Sequence, residues 1–234
     1  MVCRDGAGAR GSWLLVPLVA SWVSMAENSN PQAGSRGLLI VFEGGDGSGK
    51  STQAARLATR LDAVLTREPG GTPIGDLIRS LVLDPTHTEL ADRTEALLMA
   101  AARAQHVDEL VEPALQAGRH VISDRYVASS LAYQGVGRGL GVDAIEELNR
   151  FATNELVADL TVLLDTDPRA ARERLGETLD RIEDAGAALG ERVVETYRTL
   201  AEADPDRWVA VDASGSVDAV TARVDAAVAE RLGL

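Results

Sequence analysis

Eight residues, Gly44-Gly45-Asp46-Gly47-Ser48-Gly49-Lys50-Ser51, constrain the fold of this chain more than any other feature. They match G-x-x-x-x-G-K-[ST], follow the apolar run Leu38–Glu43 and open a helical pattern from Gly49 to Leu61. A strand, a glycine-rich bend and a helix in that order form a phosphate cradle. The glycines let successive backbone N–H groups turn inward, and the helix N-terminus adds its partial positive charge. On this reading Gly44, Gly45, Asp46, Gly47, Ser48, Gly49, Lys50, Ser51 and Thr52 hold the phosphates of a nucleotide. Lys50 reaches the β- and γ-phosphates, and Ser51 offers its hydroxyl to Mg²⁺. Lys50 is the only lysine among 23 basic residues, so a chain that otherwise uses arginine keeps a lysine where phosphate chemistry needs one.

The pattern around the cradle predicts an α/β fold. Short apolar runs at Leu38–Glu43, Ala63–Thr66, His120–Ser123, Leu160–Leu164 and Trp208–Val211 read as strands, several apolar on consecutive residues as strands buried on both faces are. Helical patterns lie between them, at Gly49–Leu61, Ile74–Val82, Asp92–Ala117, Val127–Gln134, Asp143–Thr153, Pro168–Leu175, Glu183–Ala203 and Val217–Arg231. That alternation predicts a parallel sheet flanked by helices. Asp92 and Glu95 fit a capping-box start, and Gly118 fits a helix stop. Acids outnumber bases 36 to 23, a formal charge of −13, which argues against a broad nucleic-acid surface. A single cysteine, Cys3, excludes an intrachain disulfide and a multi-cysteine metal site. His87, His106 and His120 lack metal-ligand spacing and read as structural or surface groups.

A phosphate cradle alone does not separate a kinase from a switch, a motor or a transporter ATPase. No NKxD-type guanine-reading segment is present, which weakens the switch. The run Val121–Tyr126, VISDRY, puts Asp124 and Arg125 at the carboxyl end of a central strand, where open α/β sheets bind ligands. Asp124 is suited to a magnesium-water shell or to Lys50, and Arg125 to an acceptor phosphate.

FEGGDGSGKSTQ, TREPGGTPIGDLIRSLVL, EALLMAAARAQH, SDRYVASSLAYQG and LDRIE, in this order, resemble the bacterial thymidylate kinase family. The resemblance covers about Gly37 to the C-terminus. It implies a P-loop NTPase fold with a five-stranded parallel sheet and a mobile lid, a homodimer, a cytoplasmic location, and transfer of the ATP γ-phosphate to dTMP with Mg²⁺. It also implies roles for individual residues. Lys50, Asp124, Arg125 and Arg181 serve catalysis, and Ser51 and Asp124 hold the metal. Arg125 and Arg79 hold the dTMP phosphate, Glu68 sits near the sugar and reaction centre, and Arg103 meets the thymine edge. Ser130 and Gln134 hydrogen-bond to the base, Tyr133 crowds the sugar 2′ position, and Asp46 influences metal or sugar positioning. Met99 stands where the family usually stacks an aromatic ring on thymine. In the expected lid, Arg172–Glu183, the basic groups are Arg172, Arg174 and Arg181, with Arg181 the preferred one. Such an enzyme needs neither nucleic acid nor membrane as a partner.

Residues 1–36 differ from the rest. An apolar run from Trp13 to Val23 after Arg4 and Arg10 resembles a secretory signal, with Ser24-Met25-Ala26 as a cleavage site. The other reading, an upstream start with Met25 as initiator and a short flexible entry, is preferred because the remainder of the chain resembles an ATP-using enzyme. Residues 37–234 are then the catalytic domain.

Overall fold

The computed structural model describes residues 36–174, 181–182 and 187–234, within the Ser35–Leu234 unit of the chain. The extension Met1–Arg36 lies outside the described residues except for Arg36. Of the expected lid, Glu173, Arg174, Arg181 and Ile182 are described with their side chains.

Among the described residues one sheet forms, from β1 (Leu39–Glu43), β2 (Val64–Arg67), β3 (Val121–Asp124), β4 (Leu160–Asp165) and β5 (Trp208–Asp212). The strands are parallel, in the order β2-β3-β1-β4-β5. Consecutive apolar residues in β1 are explained by what covers each face. Ile40 and Phe42 point to α1 (Lys50–Leu61) and α9 (Val217–Leu232), meeting Ala54, Leu57, Val224 and Val228. Leu39 and Val41 point the other way, to Val107, Val111 and Leu115. Every residue of β1 is buried, Glu43 included.

Between β2 and β3 run α2 (Pro73–Leu83), α3 (Asp92–His106) and α4 (Glu112–Gln116). The single helix expected over Asp92–Ala117 widens to π-helical turns at Val107–Val111. Pro113 stands two residues beyond them; it has no N–H to donate and its ring crowds the turn before it. Gly118 ends the helix at φ +76°, as expected. The expected capping box at α3 does not form. The N-cap is Ala91, with no side-chain hydrogen bond, and the Glu95 side chain turns into the protein instead of back to the helix start.

After β3, α5 (Val127–Ser130) continues as π-helical turns over Leu131–Gly137, longer than the expected Val127–Gln134. Then come α6 (Val142–Ala152), and after β4, α7 (Pro168–Arg174) and α8 (Ala187–Ala203). With β1 central and neighbours β3 and β4 on either side, the loops leaving the carboxyl ends of β1 and β3 converge on one crevice. Glu43 and Asp124 end their strands at that edge.

Leu57 is 1% exposed and packs α1 on the sheet. Leu57→Ala is expected to destabilise the fold by about 2–5 kcal/mol in chemical denaturation, through lost transfer energy and the cavity left behind.

Candidate active site

The loop after β1 bends where only glycine fits. Gly44 and Gly47 have φ of +144° and +79°, and a Cβ would lie 2.7 Å from the Leu164 carbonyl oxygen and 2.1 Å from that of Ala171. The loop lies against β4 and α7 and delivers Lys50 to the first position of α1. That turn of α1 carries no acidic residue, which leaves the helix N-terminus open to an anion. Lys50 is buried and its Nζ donates to the Gly45 carbonyl at 2.8 Å. Burial, and then the nearby Arg125 charge, pull its pKa down to about 8, against the opposing attraction of Asp46, Asp124 and Glu43. Ser51 Oγ donates to Asp124 Oδ2 at 2.5 Å. Asp124 Oδ1 is buried without a hydrogen-bond partner, so this pair has coordinating capacity to spare. The cleft over the loop is also lined by Arg67, Glu68, Arg79, Arg125 and Arg174.

A second pocket adjoins this cleft, and four residues line both: Asp46, Glu68, Arg79 and Arg125. Arg125 is the hinge of the arrangement. It is a non-glycine residue at φ +75°, a conformation that costs energy and persists only where surroundings enforce it. Its N–H donates to the Phe42 carbonyl at 2.9 Å. Its guanidinium donates to Ser129 Oγ and Tyr197 Oη, each at 3.0 Å, pairs with Asp46 and lies 5.3 Å from the centre of the Tyr133 ring. Burial opposes ionisation of Asp46, but Arg125 and Lys50 outweigh it and lower its pKa. Glu43 behaves oppositely: burial raises its pKa, only partly offset by Arg125. Its carboxyl accepts from the N–H groups of Tyr126 and Ser129 at 2.9 and 3.2 Å and from Ser129 Oγ at 2.7 Å.

The far end of the pocket is polar and fully organised. Arg103 is 3% exposed, and its Nε donates to Glu68 Oε2 at 2.6 Å. Nη1 donates to Ser130 Oγ at 3.0 Å and to Asn149, and Nη2 to the Tyr126 carbonyl at 3.0 Å. A guanidinium has five N–H bonds, so these contacts leave one. His106, buried as a structural residue, faces Glu68 Oε1 through Nδ1 at 2.8 Å and Thr66 Oγ1 through Nε2 at 2.7 Å. Burial opposes ionisation of Glu68, but Arg103 and His106 hold its carboxyl below the usual range. Arg79 Nη1 donates to the Pro69 carbonyl at 2.8 Å, across the turn that follows the cis Glu68–Pro69 peptide.

The structure therefore brings Asp46, Glu68, Arg79, Met99, Arg103, Arg125, Ser130, Tyr133 and Gln134 around one pocket, and Lys50, Ser51 and Asp124 around the adjoining cleft. Arg181 is the exception. Its Nε donates to the Val82 carbonyl at 2.8 Å and its Nη2 to Glu95 at 2.5 Å, behind the second pocket and not over the glycine-rich loop. Arg174 is the expected lid arginine that lines the phosphate cleft. Arg172 has no described side chain. Asp46 is engaged by Arg125 and by the Tyr133 hydroxyl at 2.8 Å. Sequence reasoning missed Glu43, Ser129, Tyr197 and Asn149. A charged residue ending an otherwise apolar buried strand signals Glu43; no local pattern marks Tyr197, which arrives from α8.

Residues 42–224 match the model of the family described as thymidylate kinase. The chain is 46% identical over 198 residues to a thymidylate kinase of Lactobacillus delbrueckii subsp. bulgaricus, covering 80% of this chain and 93% of that protein. It is 47% identical over 202 residues to one from Bifidobacterium longum, covering 83% and 98%. The crystal structure of thymidylate kinase from Ehrlichia chaffeensis is similar at a TM-score of 0.69 and 28% identity, with 82% and 99% of the two chains covered.

Because Lys50 loses its charge above about pH 8, affinity for ATP, followed by titration calorimetry, is expected to fall as pH rises through that value. Lys50→Gln should bind ATP more weakly and lose this alkaline dependence.

Proposed function

Since the chain belongs to the thymidylate kinase family, it phosphorylates dTMP to dTDP with ATP, and we propose a residue-level account of how it does so. The observation that carries the account is the shared wall: Asp46, Glu68, Arg79 and Arg125 line both the phosphate cleft and the neighbouring pocket. One nucleotide's phosphates in the cleft would then meet the other's at Arg125.

ATP lies on Gly44–Thr52, its phosphates held by backbone N–H groups and by Lys50. The dTMP base enters the pocket beside Met99, Arg103 and Gln134, and its phosphate meets Arg79 and Arg125. With a second pKa near 6, typical of phosphomonoesters, this phosphate is largely dianionic at pH 7 and needs no strong base. One of its oxygens bonds to the γ-phosphorus while the bond to the β,γ-bridging oxygen breaks, leaving ADP. The obstacle is repulsion between polyanions, so the work of Lys50, Arg79, Arg125 and the lid arginine Arg174 is neutralisation and alignment. Asp46 and Tyr133 orient Arg125. Glu43 holds the Tyr126 and Ser129 N–H groups, and so the backbone that follows Arg125.

Ser51 and Asp124 fit Mg²⁺: a hydroxyl and a carboxylate, hard oxygen donors, with Asp124 Oδ1 buried and unpaired. The ion, when bound, would neutralise charge on the β- and γ-phosphates. The proposal extends to the assembly and its location. Leu77 and Leu81 on α2, Leu97 on α3 and Phe151 on α6 are exposed, Phe151 by 88%, and α3 packs against both other helices. An exposed apolar surface of that kind supports a homodimer. Use of ATP supports a cytoplasmic enzyme whose catalytic domain is residues 37–234; among the described residues no helix is long and apolar enough to cross a membrane.

A coupled ADP assay over dTMP, dUMP, dCMP, dGMP and UMP should give the highest kcat/KM for dTMP, and a different best acceptor would overturn the substrate assignment. Lys50→Ala and Arg125→Lys should each lose about 10²–10³-fold in kcat with cooperative unfolding retained. In light scattering the protein should have twice the chain mass, and Leu97→Glu combined with Phe151→Glu should halve it.

A further inference from the structure

Glu95 stands behind the acceptor pocket and touches what lines it. It is 1% exposed, and its two oxygens are used unequally. Oε1 accepts from Gln134 Nε2 at 2.8 Å and, less closely, from Arg138 Nε at 3.3 Å. Oε2 accepts from Arg138 Nη2 at 3.1 Å and Arg181 Nη2 at 2.5 Å. Burial opposes ionisation, but the hydrogen bonds from Gln134, Arg138 and Arg181 outweigh it and hold the carboxyl below its ordinary range. An ionised carboxylate only accepts, so the Gln134 carboxamide must turn its NH₂ toward Glu95. Its oxygen is then the end left for the pocket that Gln134 lines.

We propose that Glu95 is a specificity-determining positioning residue: by fixing the Gln134 carboxamide it presents an acceptor to the pyrimidine N3, which favours thymine, with N3–H, over cytosine, with a bare N3 lone pair. This rests on the reading that the pocket holds the dTMP base. The remaining N–H of Arg103 completes the discrimination, since it suits the O4 of thymine and opposes the amino group of cytosine. Glu95 itself never touches the base.

The unequal use of its oxygens says what Glu95→Gln would do. Two charged donors converge on Oε2, so the new amide oxygen takes that place and its NH₂ takes the place of Oε1. That NH₂ now donates toward Gln134, whose carboxamide turns over and offers N–H to the base. The kcat/KM ratio of dTMP to dCMP should then fall by at least about tenfold, chiefly through KM. The ratio of dTMP to dUMP should hold within about twofold, because uracil and thymine present the same edge. In a Gln134→Leu background, Glu95→Gln should change the dTMP to dCMP ratio no further. An unchanged ratio in Glu95→Gln, or a fall that persists in the Gln134→Leu background, would overturn the inference. Should Glu95→Gln not fold, the wild-type protein supplies the test: it should bind dUMP about tenfold more tightly than the 3-deaza analogue, in which C–H replaces N3–H, and equal binding would overturn the inference. A wild-type protein that phosphorylates dCMP as readily as dTMP would overturn the thymidylate reading and this inference together.

Discussion

One partly buried cation, Arg125, organises the functional end of the molecule. Its backbone occupies a left-handed conformation at φ +75°, and its guanidinium meets Asp46 from the glycine-rich loop, Ser129 from α5, Tyr133 from the turns that continue it and Tyr197 from α8. Taking a charge out of water costs several kcal/mol unless its donors are matched, and here four segments of the chain supply the match. Loop, sheet edge and helices are thereby fixed to one another at the point where two ligands would face each other.

Around that cation the pKa values of the two acidic neighbours are moved in opposite directions. Asp46, with Lys50 and the Tyr133 hydroxyl also close, is held ionised. Glu43, deeper and in the strand itself, is pushed toward its protonated form while still anchoring the backbone beside Arg125. One carboxyl balances charge at the ligand face and the other organises the chain behind it, and the difference lies in how far each is removed from water.

The central fold was legible because its signals are local. Consecutive apolar residues in β1 reflect burial on both faces, and the positions of Gly44 and Gly47 reflect backbone approaches of under 3 Å that any side chain would block. The pocket residues were legible only through the family's motifs. Ser130, Tyr133 and Gln134 sit on a helix whose π-helical turns no periodicity announces. What stayed hidden was set by partners distant in sequence. Glu95 has the spacing of a capping box yet spends its carboxylate on Gln134, Arg138 and Arg181, because a buried ion pair outweighs a helix cap. Arg181 carries a motif signature, but its guanidinium is drawn to that same carboxylate.

The exclusion of lysine everywhere but position 50 also makes the chain unusual as a chemical target. Arginine side chains do not react with acylating reagents at neutral pH, so beyond the terminal amine the molecule offers such reagents one nitrogen. Its lowered pKa leaves an appreciable fraction as free amine in mildly alkaline buffer, where surface lysines of ordinary proteins remain almost wholly protonated. Apart from the terminal amine, amine labelling would thus mark the phosphate cradle, and the extent of labelling at Lys50 would serve as a direct gauge of how much of it is shielded.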